Sequence, residues 1–188
     1  MRNFLRRCGW IVVVMAVGCV TAPAPRYFTL DMHPAGQAKA PVNIRVERLR
    51  ESESIARKDI LIQKNPTRIE YYAVDRWAAG LGEMIAQKFA VEWGTDEDSR
   101  ATYVMSGTVL EFGQVDTPQG AEAHARMALE IRPNGTSRYE EPAFRKTYDV
   151  RRPAAAPTPP AVVEALSRCV EAIAAELAAD ASAWPDQL

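Results

Sequence analysis

Three cysteines, two histidines and one aromatic-arginine run are the residues of this chain whose types could do chemistry. Cys8, Cys19 and Cys169 are spaced for neither a CxxC metal clip nor a disulfide framework. Nucleophilic use of a thiol or hydroxyl needs a base within reach. His33 stands beside Pro34 in a Pro-, Gly- and Ala-rich stretch. His124 lies alone in an alternating segment, with no HxxxH or triad partner, and reads as a strand-surface residue. Gly80-Leu81-Gly82 falls inside a helical pattern rather than after a strand, which rules against a dinucleotide loop. Asn134-Gly135-Thr136 has the form of a glycosylation acceptor but reads as a turn, and Cys169, on an apolar helix face, reads as a small core residue. With no GxSxG elbow and no phosphate loop, the sequence is that of a non-enzyme with no cofactor and no metal. Tyr71, Tyr72, Arg76 and Trp77 are the candidates for partner or lipid contact, because aromatic and Arg side chains dominate interface energetics. The competing assignment puts Trp77 and Tyr71 in the core under a helix and pairs Arg76 with a carboxylate.

Cys19 has the most telling surroundings. Arg2, Arg6 and Arg7 precede an apolar run, residues 10–17, that is shorter than the roughly 20 residues a spanning helix needs and fits a signal h-region. Ala16-Val17-Gly18-Cys19 follows and resembles the lipobox of bacterial lipoproteins, in which the cysteine thiol takes a diacylglyceryl group and cleavage frees its amine for a third chain. Lipid chains contribute roughly 0.8 kcal/mol per buried CH2, and more than one is needed for stable anchoring. Val20, where a retained lipoprotein would carry Asp, resembles the enterobacterial rule for outer-membrane sorting. Cleavage also removes three of the 23 Lys and Arg residues, so the formal net charge moves from -1 to -4. No basic field exists to hold nucleic acid.

The elements that must position the remaining candidates follow from periodicity. The Pro, Ala and Gly content of residues 19–41 reads as a lipidated tether interrupted by one short strand at residues 26–30. Val42, Ile44 and Val46 alternate with Asn43, Arg45 and Glu47, as in a strand with one buried face. Residues 60–62 and 68–72 flank Asn65-Pro66 and form a hairpin. Asp75 is placed as the N-cap of a helix reaching about Phe89, with Trp77, Leu81, Met84 and Ile85 on its apolar stripe. Residues 103–112 read as a strand, 113–120 as a polar loop and 121–132 as a further strand. Asn134-Gly135 then turns the chain into a strand over residues 144–150. A Pro-Ala stretch, residues 153–160, leads to a last helix over residues 161–179, with Val162, Leu166, Cys169, Val170, Ile173 and Leu177 on one face. The sum is an α+β fold, a single antiparallel or mixed sheet of about six strands with two amphipathic helices packed on one face. The chain divides into a signal peptide (1–18), the tether (19–41), the folded domain (42–182) and a tail (183–188).

Residues 60–81 resemble the signature of the ABC-type transport auxiliary lipoproteins, the PqiC-like family: a strand, a turn, an Arg-Ile-x-Tyr strand, then Arg-Trp-Ala-x-x-Leu. Arg68, Tyr71, Arg76, Trp77, Ala78 and Leu81 match it. Tyr27-Phe28-Thr29-Leu30 and Leu110-Glu111-Phe112 are similar to the family's opening and central strands. The resemblance implies an outer-membrane lipoprotein that works with an MCE-domain periplasm-spanning protein and its ABC transporter to move phospholipid, docking to protein and contributing to a lipid conduit if it forms a homo-oligomer. The alternative is an envelope-assembly or cell-wall regulatory lipoprotein that binds a partner protein.

Overall fold

Alternation governs the centre of the molecule. In β7 (Gly120–Pro133), Ala121, Ala123, Ala125, Met127, Leu129 and Ile131 are all buried on one face of a mixed sheet, while Glu122, Arg126 and Glu130 alternate with them. A helix would scatter those side chains around its axis, so period two overrides the helix preference of the alanines. The computed structural model describes residues 23–36, 43–95, 101–137 and 139–182. The signal segment, Cys19 and residues 183–188 lie outside the described residues.

The other elements are β1 (Arg26–Phe28), β2 (Ile44–Val46), β3 (Arg50–Glu51), β4 (Asp59–Asn65), β5 (Arg68–Trp77), α1 (Leu81–Trp93), β6 (Tyr103–Thr117), β8 (Phe144–Pro153) and α2 (Pro159–Ser182). The sheet runs β1-β5-β4-β6-β7-β8, and β2 and β3 lie parallel to the first half of β6, on the side that β4 takes over at Leu61 opposite Gly113. This is the expected α+β architecture with both helices on one face, in eight strands rather than six. All six residues placed on the buried face of α2 are fully buried. The small side chains of β7 let this helix approach closely: the Cys169 Sγ lies 3.8 Å from the carbonyl of Ala123. Burial pushes that thiol up to about 11, the behaviour of an inert core cysteine.

Three local expectations give way. Asp75 is not an N-cap. It and Trp77 sit in β5, where β1 pairs parallel to residues 75–77 and β4 pairs antiparallel, and the two ladders outcompete a helix. The helix starts instead at Leu81, and Glu51 of β3 accepts the Gly82 amide at 2.7 Å in place of a cap side chain. Gly82 is required there, since a Cβ would stand 2.0 Å from the Leu49 carbonyl oxygen. Residues 113–120 are not a loop. The β6 strand continues to Thr117, and only Pro118-Gln119 link it to β7. Its polar side chains satisfy one another, with Tyr72 donating to Gln114 and Gln114 donating to Asp116. Asn134-Gly135 does turn the chain, Gly135 with φ 88°, and β7 pairs antiparallel with β8 as expected. The Asn134 side-chain amide donates to the Ala101 carbonyl at 2.8 Å. Finally, the tether is docked between Arg26 and Ala35. Leu30 is 1% exposed, the Asp31 amide donates to Ser167 Oγ, and Arg26 grips the buried Asp75 through two bonds of 2.6 and 2.9 Å.

Candidate docking site

The candidate contact residues on β5 divide between two environments. Trp77 is 2% exposed and packs against Phe112 with ring centroids 5.8 Å apart, so it belongs to the core. Tyr72 packs partly on the same core and donates to Gln114. Tyr71 and Arg76 come together instead through two residues the sequence does not single out. The Tyr71 hydroxyl donates to the Ser54 carbonyl at 2.8 Å, and the Arg57 guanidinium lies over its ring, 4.2 Å from the centroid. Arg57 and Arg76 both reach Asp59, at 3.3 and 3.1 Å. Cation-π and charge-assisted contacts of this kind hold side chains in fixed orientation at a half-exposed surface. Arg57 stands in the loop before β4, fourteen positions from Tyr71, and only the pairing of β4 with β5 reveals the contact.

Beside this cluster, on the sheet face opposite the helices, lies a pocket of about 220 Å³. Ile55, Leu61, Ile69 and Val115 supply apolar walls, Gly113 leaves the floor open, and His124 closes one side. His124 is a correction to the sequence reading. It is 3% exposed, with Nε2 2.8 Å from Asp149 and Nδ1 3.1 Å from Glu111. Three adjacent strands carry these groups, Glu111 on β6, His124 on β7 and Asp149 on β8, so their approach depends on strand register and leaves no trace in sequence spacing. Arg126 bridges the same carboxylates, at 3.3 Å to Glu111 and 3.8 Å to Asp149. The site thus offers an apolar pocket rimmed by paired charges, suited to holding an apolar side chain or chain end against an ordered polar frame. Among the described residues no group of three or more His, Cys, Asp or Glu could hold a metal ion.

A second polar cluster is buried between the helices. The Lys88 ammonium has three acceptors, Glu92 at 2.6 Å, Glu171 at 2.9 Å and the His33 carbonyl at 2.9 Å, while Glu92 also takes the Ala35 amide. Burial alone would lower the affinity of Lys88 for its proton, but the bonds to Glu171 and Glu92 raise it above the usual lysine value. With every donor matched the group has nothing left to offer a substrate, and its work is to fasten α1, α2 and the incoming chain.

The model of the ABC-type transport auxiliary lipoprotein component matches residues 28–178. The chain belongs to that family. The match begins at the last residue of β1 and ends in α2, so it takes in β2 to β8 as well as the Arg68 to Leu81 signature. A crystal structure of a Xanthomonas campestris protein of the DUF330 family is similar to this auxiliary lipoprotein with a TM-score of 0.63 at 16% identity, covering 84% of this chain and 92% of that one. A crystal structure of an uncharacterized protein is similar with a TM-score of 0.66 at 11% identity, covering 84% and 99%. At these identities the likeness is one of fold. No curated protein matches the chain in sequence. Among the described residues of the auxiliary lipoprotein no helix is long and apolar enough to cross a membrane.

Proposed function

We propose that the mature protein is acylated at Cys19, sits on the periplasmic face of the outer membrane, and serves an MCE-domain/ABC-type phospholipid transport system by docking a protein partner rather than by catalysis. The observation that carries the reading is the family match across residues 28–178, which adds a transport role to a chain whose amino terminus already has the form of a lipoprotein leader. The docking surface is the open sheet face around Tyr71, Arg57, Asp59 and Arg76, with the adjoining pocket. Its aromatic and guanidinium groups are half-exposed and already held in position, so little conformational entropy is lost when a partner arrives. The anchor is at Cys19 and the contact surface in the fold.

The test is isolation of the tagged, full-length protein from detergent-solubilised envelopes. Recovery of an MCE-domain protein with its ATPase and permease is the expected result, and recovery of cell-wall synthases without them contradicts the reading. Cys19→Ala is expected to release the protein into the periplasm and to abolish incorporation of labelled fatty acid.

A further inference from the structure

The strand that follows the anchor fixes which end of the fold can reach the bilayer. The β1 strand is parallel to β5, with Arg26 opposite Asp75, so β1 enters the sheet from the side of Arg68 and the β4-β5 turn. That turn and the Pro118-Gln119 turn share one end of the sheet, because β4 and β6 are parallel and Gln63 pairs with Val115. The pairings Asp59 with Arg76 and Leu61 with Gly113 set Arg26 about level with Phe112. From there the turn end at Thr117 is roughly five residues away, about 17 Å, and the opposite end at Tyr103 is roughly nine, about 30 Å. Seven positions separate Cys19 from Arg26, and an extended chain covers at most about 25 Å in that number. The turn end is within reach and the opposite end is not.

The two ends also differ in chemistry. At the turn end Asp116 is held by Lys64 at 2.8 Å, Glu70 pairs with Arg68, and Glu122 faces Arg151 at 3.9 Å. Arg152 is exposed there as well, and Ile69 stands 48% exposed beside the turn. Paired charges with one apolar side chain match the zwitterionic and anionic headgroup layer of a phospholipid surface. At the opposite end Arg45 pairs with Glu47 and Arg145 with Glu130, and Glu140 and Glu141 stand exposed beyond these pairs, where an anionic surface repels them.

From this geometry we propose that the end of the sheet formed by the β4-β5 and β6-β7 turns lies against the phospholipid surface that holds the Cys19 acyl chains, with Lys64, Arg68, Ile69 and Arg152 at headgroup level. The proposal rests on the anchoring reading above and adds an orientation to it. It leaves the end that carries Glu140 and Glu141 pointing into the periplasm.

Fluorescent labelling of the full-length acylated protein tests it. Thr67→Cys and Gln119→Cys each place an environment-sensitive fluorophore on a turn, and Ala143→Cys places one at the opposite end; Cys169 is buried and does not compete. Each protein is reconstituted into phosphatidylethanolamine/phosphatidylglycerol vesicles with and without a headgroup-level quencher lipid. Flotation with the vesicles, quenching of the 67 and 119 probes by at least about twofold, and an unquenched 143 probe are expected. Quenching of the 143 probe, or of none of the three on floated protein, overturns the orientation while leaving the anchor intact. Protein that does not float overturns the anchor and the orientation together.

Discussion

Trp77 and Arg76 are neighbours in sequence with opposite fates, and the difference is measurable. Trp77 fills the space against Phe112, so Trp77→Ala removes a large buried ring and leaves a cavity, at a cost of about 3–5 kcal/mol. The Arg76 side chain is 43% exposed on its pair with Asp59, and Arg76→Ala is expected to cost about 1 kcal/mol or less. Urea unfolding monitored by tryptophan fluorescence and circular dichroism separates the two. Lys88 is a sharper case. Lys88→Met leaves Glu92 and Glu171 without their shared cation, at a cost of about 3–5 kcal/mol, whereas adding Glu92→Leu removes the more buried of the two stranded charges and is expected to recover part of it in the same unfolding experiment. The burial of Lys88 is not readable in the sequence because, apart from Glu92 one turn on in the same helix, its partners at residues 33 and 171 come from distant segments.

At the level of elements, the strands and helices with strong periodicity are legible in the sequence, and the departures share a cause. The α2 face is readable because a 3.6-residue apolar stripe needs no partner to be recognised. Asp75 and Trp77 have the residue types of a helix start, and only pairing with β1 and β4 on either side decides for strand. Residues 113–120 have the composition of a loop because Gln114 and Asp116 are polar, yet Tyr72 and Lys64 satisfy them within the sheet. The tether misleads in the same way: its Pro and Ala flanks are linker-like, while Leu30 is core. Leu30→Ala is accordingly expected to destabilise the domain by about 2–5 kcal/mol, measured by chemical denaturation of the leaderless protein. A truncated protein beginning after residue 36 is expected to lose stability further, since it also lacks the acceptor of Lys88 at His33 and the Arg26 clamp on Asp75.

For the molecule as a whole, ion pairs tie the sheet and helices together, and their titration sets the pH range of stability. Burial works against ionisation of Asp180, Asp116 and Glu130, but bonds from Lys146 and Tyr148, from Lys64 and Gln114, and from Arg145 and Arg132 outweigh it and bring all three carboxylates below their usual range. A lowered folded-state value means stability that is present above the unfolded value, about 3.9 for Asp and 4.3 for Glu, and lost as pH falls through the folded one. The raised value of Lys88 has the opposite sign: its contribution is present below about pH 10.4 and lost as pH rises through the folded value. Melting temperature is therefore expected to hold from about pH 5 to 9, falling below about pH 4 and again above about pH 11, and a scan of thermal unfolding across that range checks it. The family is readable from the Arg68 to Leu81 signature, whereas the proposed contact surface is only half readable, because Arg57, Asp59 and the His124 pocket are assembled by strand register. The most direct measurement of the central claim is photo-crosslinking in living cells with a benzophenone amino acid at position 57 or 76 of the acylated protein. A covalent adduct with an MCE-domain protein is the predicted result, and adducts confined to cell-wall enzymes, or the same adducts from a probe moved to the helical face of the fold, contradict it.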